Sequence, residues 1–329
     1  MAPDRASGAD GRLPAERIDD LALAAMDAAE RGRIAESERL ARRAVRLGEC
    51  IGDGHDRDRN LARALRALGT ALRIRGQYRE AERTFKQALA SGKAVFGRTS
   101  LEAAELYNDL GMTFRYLGRF DNAEAAYGRA QLILEALPDV ASEDLAALFH
   151  NLGGLAHARG DFEAAEPLSR RAVDIRSRSI GSRAPAVMLD RIAHAAILAG
   201  LGRADEAEAT LRDLLPDLES AFEPDHPEVA VALNNLAAIL QARGELAESE
   251  TLYRRVIAIK SARLGANSPA LAVPFNNLGT NLRDQGRTDE AAALYARAAE
   301  LLAGSVEAGH PNLLAVRRNR ARLTASTSL

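Results

Sequence analysis

Apolar residues along this chain fall at helical spacing on both sides of a glycine that returns every 42 residues, at Gly76, Gly118, Gly160, Gly202, Gly244 and Gly286. An earlier Gly32 stands 44 residues ahead of Gly76. Eight residues before the repeated glycine stand Leu68, Leu110, Leu152, His194, Leu236 and Leu278; seven before it stand Gly69, Gly111, Gly153, Ala195, Ala237 and Gly279. Five after it come Ala81, Ala123, Ala165, Ala207, Ser249 and Ala291, and nine after it Phe85, Tyr127, Ser169, Leu211, Tyr253 and Tyr295. Such separations put apolar side chains on one face of a helix before the glycine and of another after it. Each unit is therefore predicted to be two antiparallel helices, with the glycine supplying a left-handed turn at little steric cost. The small residues at −7 and +5 mark places where helices approach closely. The larger residue at +9 is expected to fill space between neighbouring pairs.

The junctions repeat as well. Pro185, Pro227, Pro269 and Pro311 follow Ala184, His226, Ser268 and His310. Proline suits the first position of a helix, so helix A of each unit starts there and runs to the glycine. Ser268 is an expected N-cap, and Ser100 and Ser142 hold the equivalent place where the proline is missing. Pro216 inside a helix B should bend it, with Pro167 and Pro274 milder cases. Self-similarity at such a period means stacked supersecondary units. The expected organisation is a tail over 1–16, one solenoid over 17–324 and a tail over 325–329. Its repeats run 17–58, 59–100, 101–142, 143–184, 185–226, 227–268 and 269–310, before a capping helix at 311–323. There Arg320 replaces the apolar residue that Leu278 supplies one unit earlier, as a polar outer face requires.

The recurring Leu-Gly, the glycine followed by Phe or Tyr and Ala, and the later aromatic–Ala pair resemble the tetratricopeptide repeat. The stretch Asp225-His226-Pro227-Glu228-Val229-Ala230, followed by Leu233-Asn234-Asn235-Leu236-Ala237, is similar to the 42-residue kinesin-light-chain type of that repeat. The resemblance spans roughly residues 17 to 324. It implies an all-α, right-handed α-solenoid whose A helices line a concave groove where ligands lie. The same repeat serves scaffolds, adaptors and bacterial regulators of separate effectors, and a fold alone does not choose among them.

Composition narrows the partner. The 329 residues carry a net charge of −2, against the strong basic excess of non-specific nucleic-acid or membrane binders. An Arg-lined α-solenoid that binds nucleic acid is a competing reading, but Asp109 and the apolar fourth unit interrupt the stripe it needs. No stretch is apolar enough to span a membrane and the first residues have no apolar leader core, so a cytoplasmic protein is expected. The single Cys50 allows neither a disulfide framework nor a cysteine zinc site. No P-loop, dinucleotide fingerprint or nucleophile elbow is present, so neither an enzyme nor a cofactor is expected. Aspartates at 53, 56 and 58 lack the order of a calcium loop. His150, His157 and His194 lack a completing carboxylate, so no metal site is expected. Glu82, Glu124, Glu166, Glu208 and Glu250 recur six residues after the glycine, where the dipole of helix B favours them.

The resemblance turns the groove into residues. Positions −10, −9 and −3 would face it. The first holds Asn108, His150, Ile192, Asn234 and Asn276, the second Asn151, Asn235 and Asn277, and the third Arg73, Arg115, His157, Gln241 and Arg283. The first complete unit differs, with Arg66 and Ala67, and the fourth offers Ile192, Ala193 and Ala199. Asparagine amides can pair with an extended peptide backbone, and flanking arginines favour carboxylates or phosphates. The expected partner is a protein or peptide with an extended or acidic segment, read against an apolar patch at Ile192. The −9 asparagines read equally well as scaffold residues that satisfy neighbouring backbone.

Overall fold

The structure, a computed structural model, describes residues 14–50, 55–93, 95–138 and 140–326. Most of the expected 1–16 tail, positions 52–54 of the first loop and residues 327–329 lie outside these. Among the described residues the chain forms fifteen α-helices, one 3-10 turn and no strand. They pair as α1 (Pro14–Glu30) with α2 (Ile34–Cys50), α3 (His55–Ile74) with α4 (Tyr78–Lys93), α5 (Leu101–Leu117) with α6 (Phe120–Ala136), and α7 (Ser142–Arg159) with α8 (Phe162–Ile180). Then come α9 (Pro185–Gly200) with α10 (Ala204–Phe222), α11 (Pro227–Ala242) with α12 (Leu246–Leu264), α13 (Ala272–Asp284) with α14 (Thr288–Leu302), and α15 (Pro311–Ser326). Odd-numbered members are the A helices and even-numbered the B helices of an all-α solenoid. Every repeated glycine is left-handed, with φ between 70° and 86°.

The chain forms two compact units, Met1–Thr113 with Ala125–Asp139, and Phe114–Glu124 with Val140–Leu329. In the first, α1 to α4 pack consecutively and α1 also touches α3. In the second, each A helix from α7 to α13 touches both its own partner and the next A helix. Also within the second, the turn after α5 rests on the loop before α15. Glu307 N donates to Leu117 O at 3.1 Å, Arg119 Nη2 meets Glu307 Oε1 at 2.7 Å, and a Cβ on Gly118 would lie 2.9 Å from His310.

The role of the +9 aromatic differs from expectation. Its ring lies within its own hairpin, over the −7 glycine, so that a Cβ on Gly111 would come within 2.4 Å of Tyr127. Phe85, Tyr127, Tyr253 and Tyr295 are fully buried, each contributing roughly 2–3 kcal/mol of hydrophobic stabilisation. Where Ser169 replaces the aromatic, His194 replaces the −8 leucine of the next repeat, and their Oγ and Nδ1 stand 2.7 Å apart.

Caps also separate by position. Ser100 Oγ accepts from Ala103 N at 3.1 Å and Ser268 Oγ from Ala270 N at 3.3 Å. His226 and His310 cap through Nδ1, accepting from Glu228 N at 3.3 Å and Asn312 N at 3.1 Å. Ser142 does not cap; α7 starts one residue early with Ala141 at the N-cap. Helices α8 and α10 continue through Pro167 and Pro216. Pro274 cannot donate to Ala270, and the chain enters α13 through the 3-10 turn Pro269–Leu271. The +6 glutamates lie beyond the first turn of helix B, and in three repeats they bind the next one instead. Glu124 accepts from Arg159 Nη2 at 2.9 Å, Glu208 from Arg243, and Glu250 from Arg287 and Gln285, each at 2.9 Å.

Candidate functional site

Two buried charges break the apolar register of the second unit. Sixteen residues after the glycine, where other repeats carry Gly92, Leu134, Leu218, Lys260 and Leu302, α8 has Arg176. Twelve before it, where Ala64, Leu106, Leu148, Ala232 and Pro274 stand, α9 has Asp190. Arg176 is 6% exposed and Asp190 1%. Neither charge is tolerable alone in such surroundings, and stacking brings them together. Arg176 Nη1 donates to Asp190 Oδ2, and its Nε to Glu143 Oε1 at 2.8 Å. The second oxygen of Asp190 lies 2.7 Å from His150 Nδ1. That contact turns the His150 ring so that Nε2 is its remaining polar atom.

His150 lines a cavity of about 400 Å³ built from three successive A helices. Helix α7 supplies Ala147, His150 and Asn151; α9 supplies Ala186, Leu189, Ile192 and Ala193; α11 supplies Glu228 and Val231. Tyr116 completes the wall, and the Arg115 guanidinium sits 4.9 Å over its ring. Arg115 also lies near His157, whose pKa is pushed down first by burial and then by that cation. His157 meets Phe162 edge-on at 5.4 Å. Burial lowers the pKa of Lys260 in α12, against the opposing pull of Tyr116 and Glu228.

Beyond the cavity, the asparagines form a ladder running from one repeat to the next. Asn235 Nδ2 reaches Ile192 O at 3.5 Å, Asn277 Nδ2 donates to Asn234 Oδ1 at 3.2 Å, and Asn319 Nδ2 to Asn276 Oδ1 at 3.0 Å. The −9 amides thus tie neighbouring A helices together, while Asn234 and Asn276 accept through oxygen and keep their NH₂ groups as donors. At −3, Gln241 Nε2 and Arg283 Nη2 converge on Asp284, at 2.9 and 2.7 Å. Arg115, His157, His150, Asn151, Ile192, Asn234, Asn235, Gln241, Asn276, Asn277 and Arg283 all belong to the second unit.

Arg73 and Asn108 belong to the first unit, both half-buried. Arg73 Nε is buried without a hydrogen-bond partner among the described residues. There Arg66 Nε donates to Asp109 Oδ2 at 2.7 Å and Nη1 meets Glu105 Oε2 at 2.6 Å. Burial opposes the charge on Arg66, yet Asp109 and Glu105 raise its pKa. It edges a second cavity, of about 360 Å³, with Leu23, Met26, Arg63 and Glu102.

Sequence reasoning passed over Tyr116, Arg176, Asp190 and Glu228. For Asp190 a signal existed, a charge in a register otherwise small or apolar; for Arg176 it was weaker, because Lys260 holds the same register position. His150, His157 and His194 each have a partner of their own: Asp190, Phe162 and Ser169. Among the described residues no group of His, Cys, Asp and Glu could hold a metal ion, and no helix is long and apolar enough to cross a membrane.

The family model described as tetratricopeptide repeat matches residues 60–136, 102–178, 144–220, 186–262 and 228–304, in steps of 42. No curated protein matches the sequence. Among solved structures, a Rap protein complexed with Competence and Sporulation Factor is similar at 15% identity, covering 96% of this chain and 87% of that one, with a TM-score of 0.68. NprR in complex with its cognate peptide NprX is similar at 13% identity, covering 94% and 82%, with a TM-score of 0.62. BtubC (BKLC) from P. vanneervenii shares 21% identity over 70% of this chain and 91% of its own, with a TM-score of 0.49.

Proposed function

Because the chain belongs to the tetratricopeptide repeat family, we propose that it is a non-enzymatic interaction protein that binds a peptide or protein segment along α7, α9 and α11. The observation that carries this reading is the cavity shared by three repeats, apolar at Leu189, Ile192 and Val231 and polar at His150 and Asn151. An apolar wall with a few oriented polar groups is what an extended peptide needs: one side chain buried, backbone amides paired. The NH₂ groups of Asn234 and Asn276 would continue the pairing past the cavity.

A peptide-responsive regulator of a separate effector is the more specific form of this reading. The observation favouring it is the likeness, along nearly the whole chain, to a peptide-bound NprR and to a Rap protein complexed with Competence and Sporulation Factor. In either form the partner supplies any catalysis.

The test is selection of peptides from a random library, with affinities of the winners read by fluorescence polarisation. Val231→Asp should weaken them at least about tenfold, since this half-buried residue lines the cavity and the substitution buries an unpaired carboxylate in the complex. Asn234→Ala with Asn276→Ala should weaken them about three- to tenfold at unchanged helical content. Winners that bind both variants like the unaltered protein would sink the reading.

A further inference from the structure

The first unit has a cleft among α4, α5 and α6. The repeats provide their own controls. Eleven residues after the glycine stand Arg129, Arg171, Arg255 and Arg297 in four of the B helices, and Arg171 stacks on the Phe149 ring at 4.1 Å. In the later two the arginine closes onto the preceding loop: Arg255 Nη2 donates to Pro224 O and Arg297 Nη2 to Ala266 O, both at 3.1 Å. Arg255 Nη2 is also neutralised by Glu219 at 2.6 Å, from the B helix before it. The position equivalent to Glu219 in the first unit is Lys93, and the position equivalent to Pro224 is Arg98. A cation thus stands where the later repeat has its carboxylate, and a second stands where that repeat has its proline. Among the described residues no carboxylate pairs with Lys93, Arg98 or Arg129, and a cavity of about 410 Å³ lies between them.

The apolar residues depart from the register too. Leu132 is 62% exposed at a position that holds Ala90, Asp174, Pro216, Ala258 and Glu300 elsewhere. Leu89 and Ile133 also line the cleft, half-buried and buried, with the Tyr107 ring beside them. The three cations are exposed and so stand at the rim. A small inorganic anion in this cleft would meet an apolar floor. An amphipathic segment would match both parts, its apolar side chain on Leu89 and Ile133 and its carboxylates at the rim.

We propose that this cleft docks an acidic segment of a partner protein, one that carries a leucine-like side chain between carboxylates. The site is separate from the cavity of the second unit and does not depend on what binds there.

The probe is a fluorescein-labelled Gly-Asp-Glu-Leu-Asp-Glu-Gly peptide, read by polarisation with the full chain. Binding should weaken about tenfold or more in Lys93→Glu, which restores the Glu219 arrangement and lets Arg129 neutralise itself. It should weaken similarly in Leu132→Ser, and when the peptide's leucine is changed to serine. Raising NaCl from about 0.05 to about 0.5 M should weaken it further. Asn234→Ala with Asn276→Ala should leave it within about twofold. Circular dichroism of each variant checks that the helices persist, and all four substituted sites are exposed or half-buried. No binding at about 1 mM peptide overturns the proposal. So does a Lys93→Glu variant that binds normally, or equal binding of the serine peptide. If Lys93→Glu instead abolishes binding of single-stranded RNA or inorganic phosphate, or self-association in sedimentation, the occupant is wrong and the proposal falls.

Discussion

The Arg176–Asp190 pair separates two purposes a buried charge can serve, stability and the shaping of a site. In Asp190→Asn the guanidinium of Arg176, 6% exposed, keeps only Glu143. Removing one partner of a buried pair costs about 3–5 kcal/mol, and the surviving Glu143 contact places this case near about 3 kcal/mol. The informative variant is Arg176→Leu with Asp190→Leu, which restores the residues of neighbouring repeats, Leu134 and Leu218 at one register position and Leu106 and Leu148 at the other. Replacing a buried ion pair by apolar residues of similar volume is neutral or stabilising by up to about 4 kcal/mol. The double variant should therefore be at least as stable as the unaltered chain. It should nevertheless lose the library-selected peptides, because the His150 ring no longer has Asp190 to fix it. Urea unfolding followed at 222 nm measures the first part. Midpoints are compared directly, since stacked repeats need not unfold in one step. A double variant destabilised by more than about 2 kcal/mol would show that the pair holds the stack together, and the reasoning would fail.

Three further outcomes are expected. Glu223 ends α10 at φ 73° and ψ 145°, in the region occupied by Gly181 and Gly265 at the equivalent positions. Such a conformation costs a side-chain-bearing residue about 1–3 kcal/mol, so Glu223→Gly should exceed Glu223→Ala in stability by about 1 kcal/mol after the flexibility glycine gives the unfolded chain; equal midpoints would contradict it. Gly111→Ala should cost about 1–3 kcal/mol by driving a methyl into Tyr127, whereas Gly128→Ala, with open space around it, should gain about 0.5–1 kcal/mol of helix propensity; paired thermal melts decide. Burial opposes the Glu250 carboxylate, yet hydrogen bonds from Gln285, Arg254 and Arg287 lower its pKa from 4.5 to about 2. A depressed carboxyl stabilises the fold above its unfolded value and loses that contribution as pH falls, here between about 4.5 and about 2. After allowance for solvent screening the contribution is about 1–2 kcal/mol, so Glu250→Gln should flatten the acid limb of the stability curve by that amount; an unchanged limb would refute it.

The period of one glycine was enough to read the hairpins, their order and the small residues at close approaches, because those are the positions every repeat must satisfy in the same way. The site was legible only in part. Asn151, Asn235 and Asn277 have one sequence pattern and two meanings, and only the placement of Asn277 against Asn234 and of Asn235 against the Ile192 carbonyl gives the −9 amides a bridging role. The glutamates at +6 looked like dipole partners because sequence does not show that Arg159, Arg243 and Arg287 of the next repeat reach them. Departures from the register carry the most information, and geometry sorts them into two kinds. Arg176 with Asp190, and Ser169 with His194, are departures in adjacent repeats that satisfy each other. A fold can keep such pairs with little loss of stability, since each polar group has its partner inside the stack. Lys93, Arg98 and Leu132 depart from the register around Arg129, and nothing in the described chain compensates them: three cations crowd where Glu219 elsewhere supplies an anion, and a leucine stands in water. Stacking alone would favour restoring the glutamate. An arrangement that leaves like charges together beside exposed apolar surface is stabilised only by something from outside, and its missing half is the chemistry of the partner: negative charge around an apolar side chain.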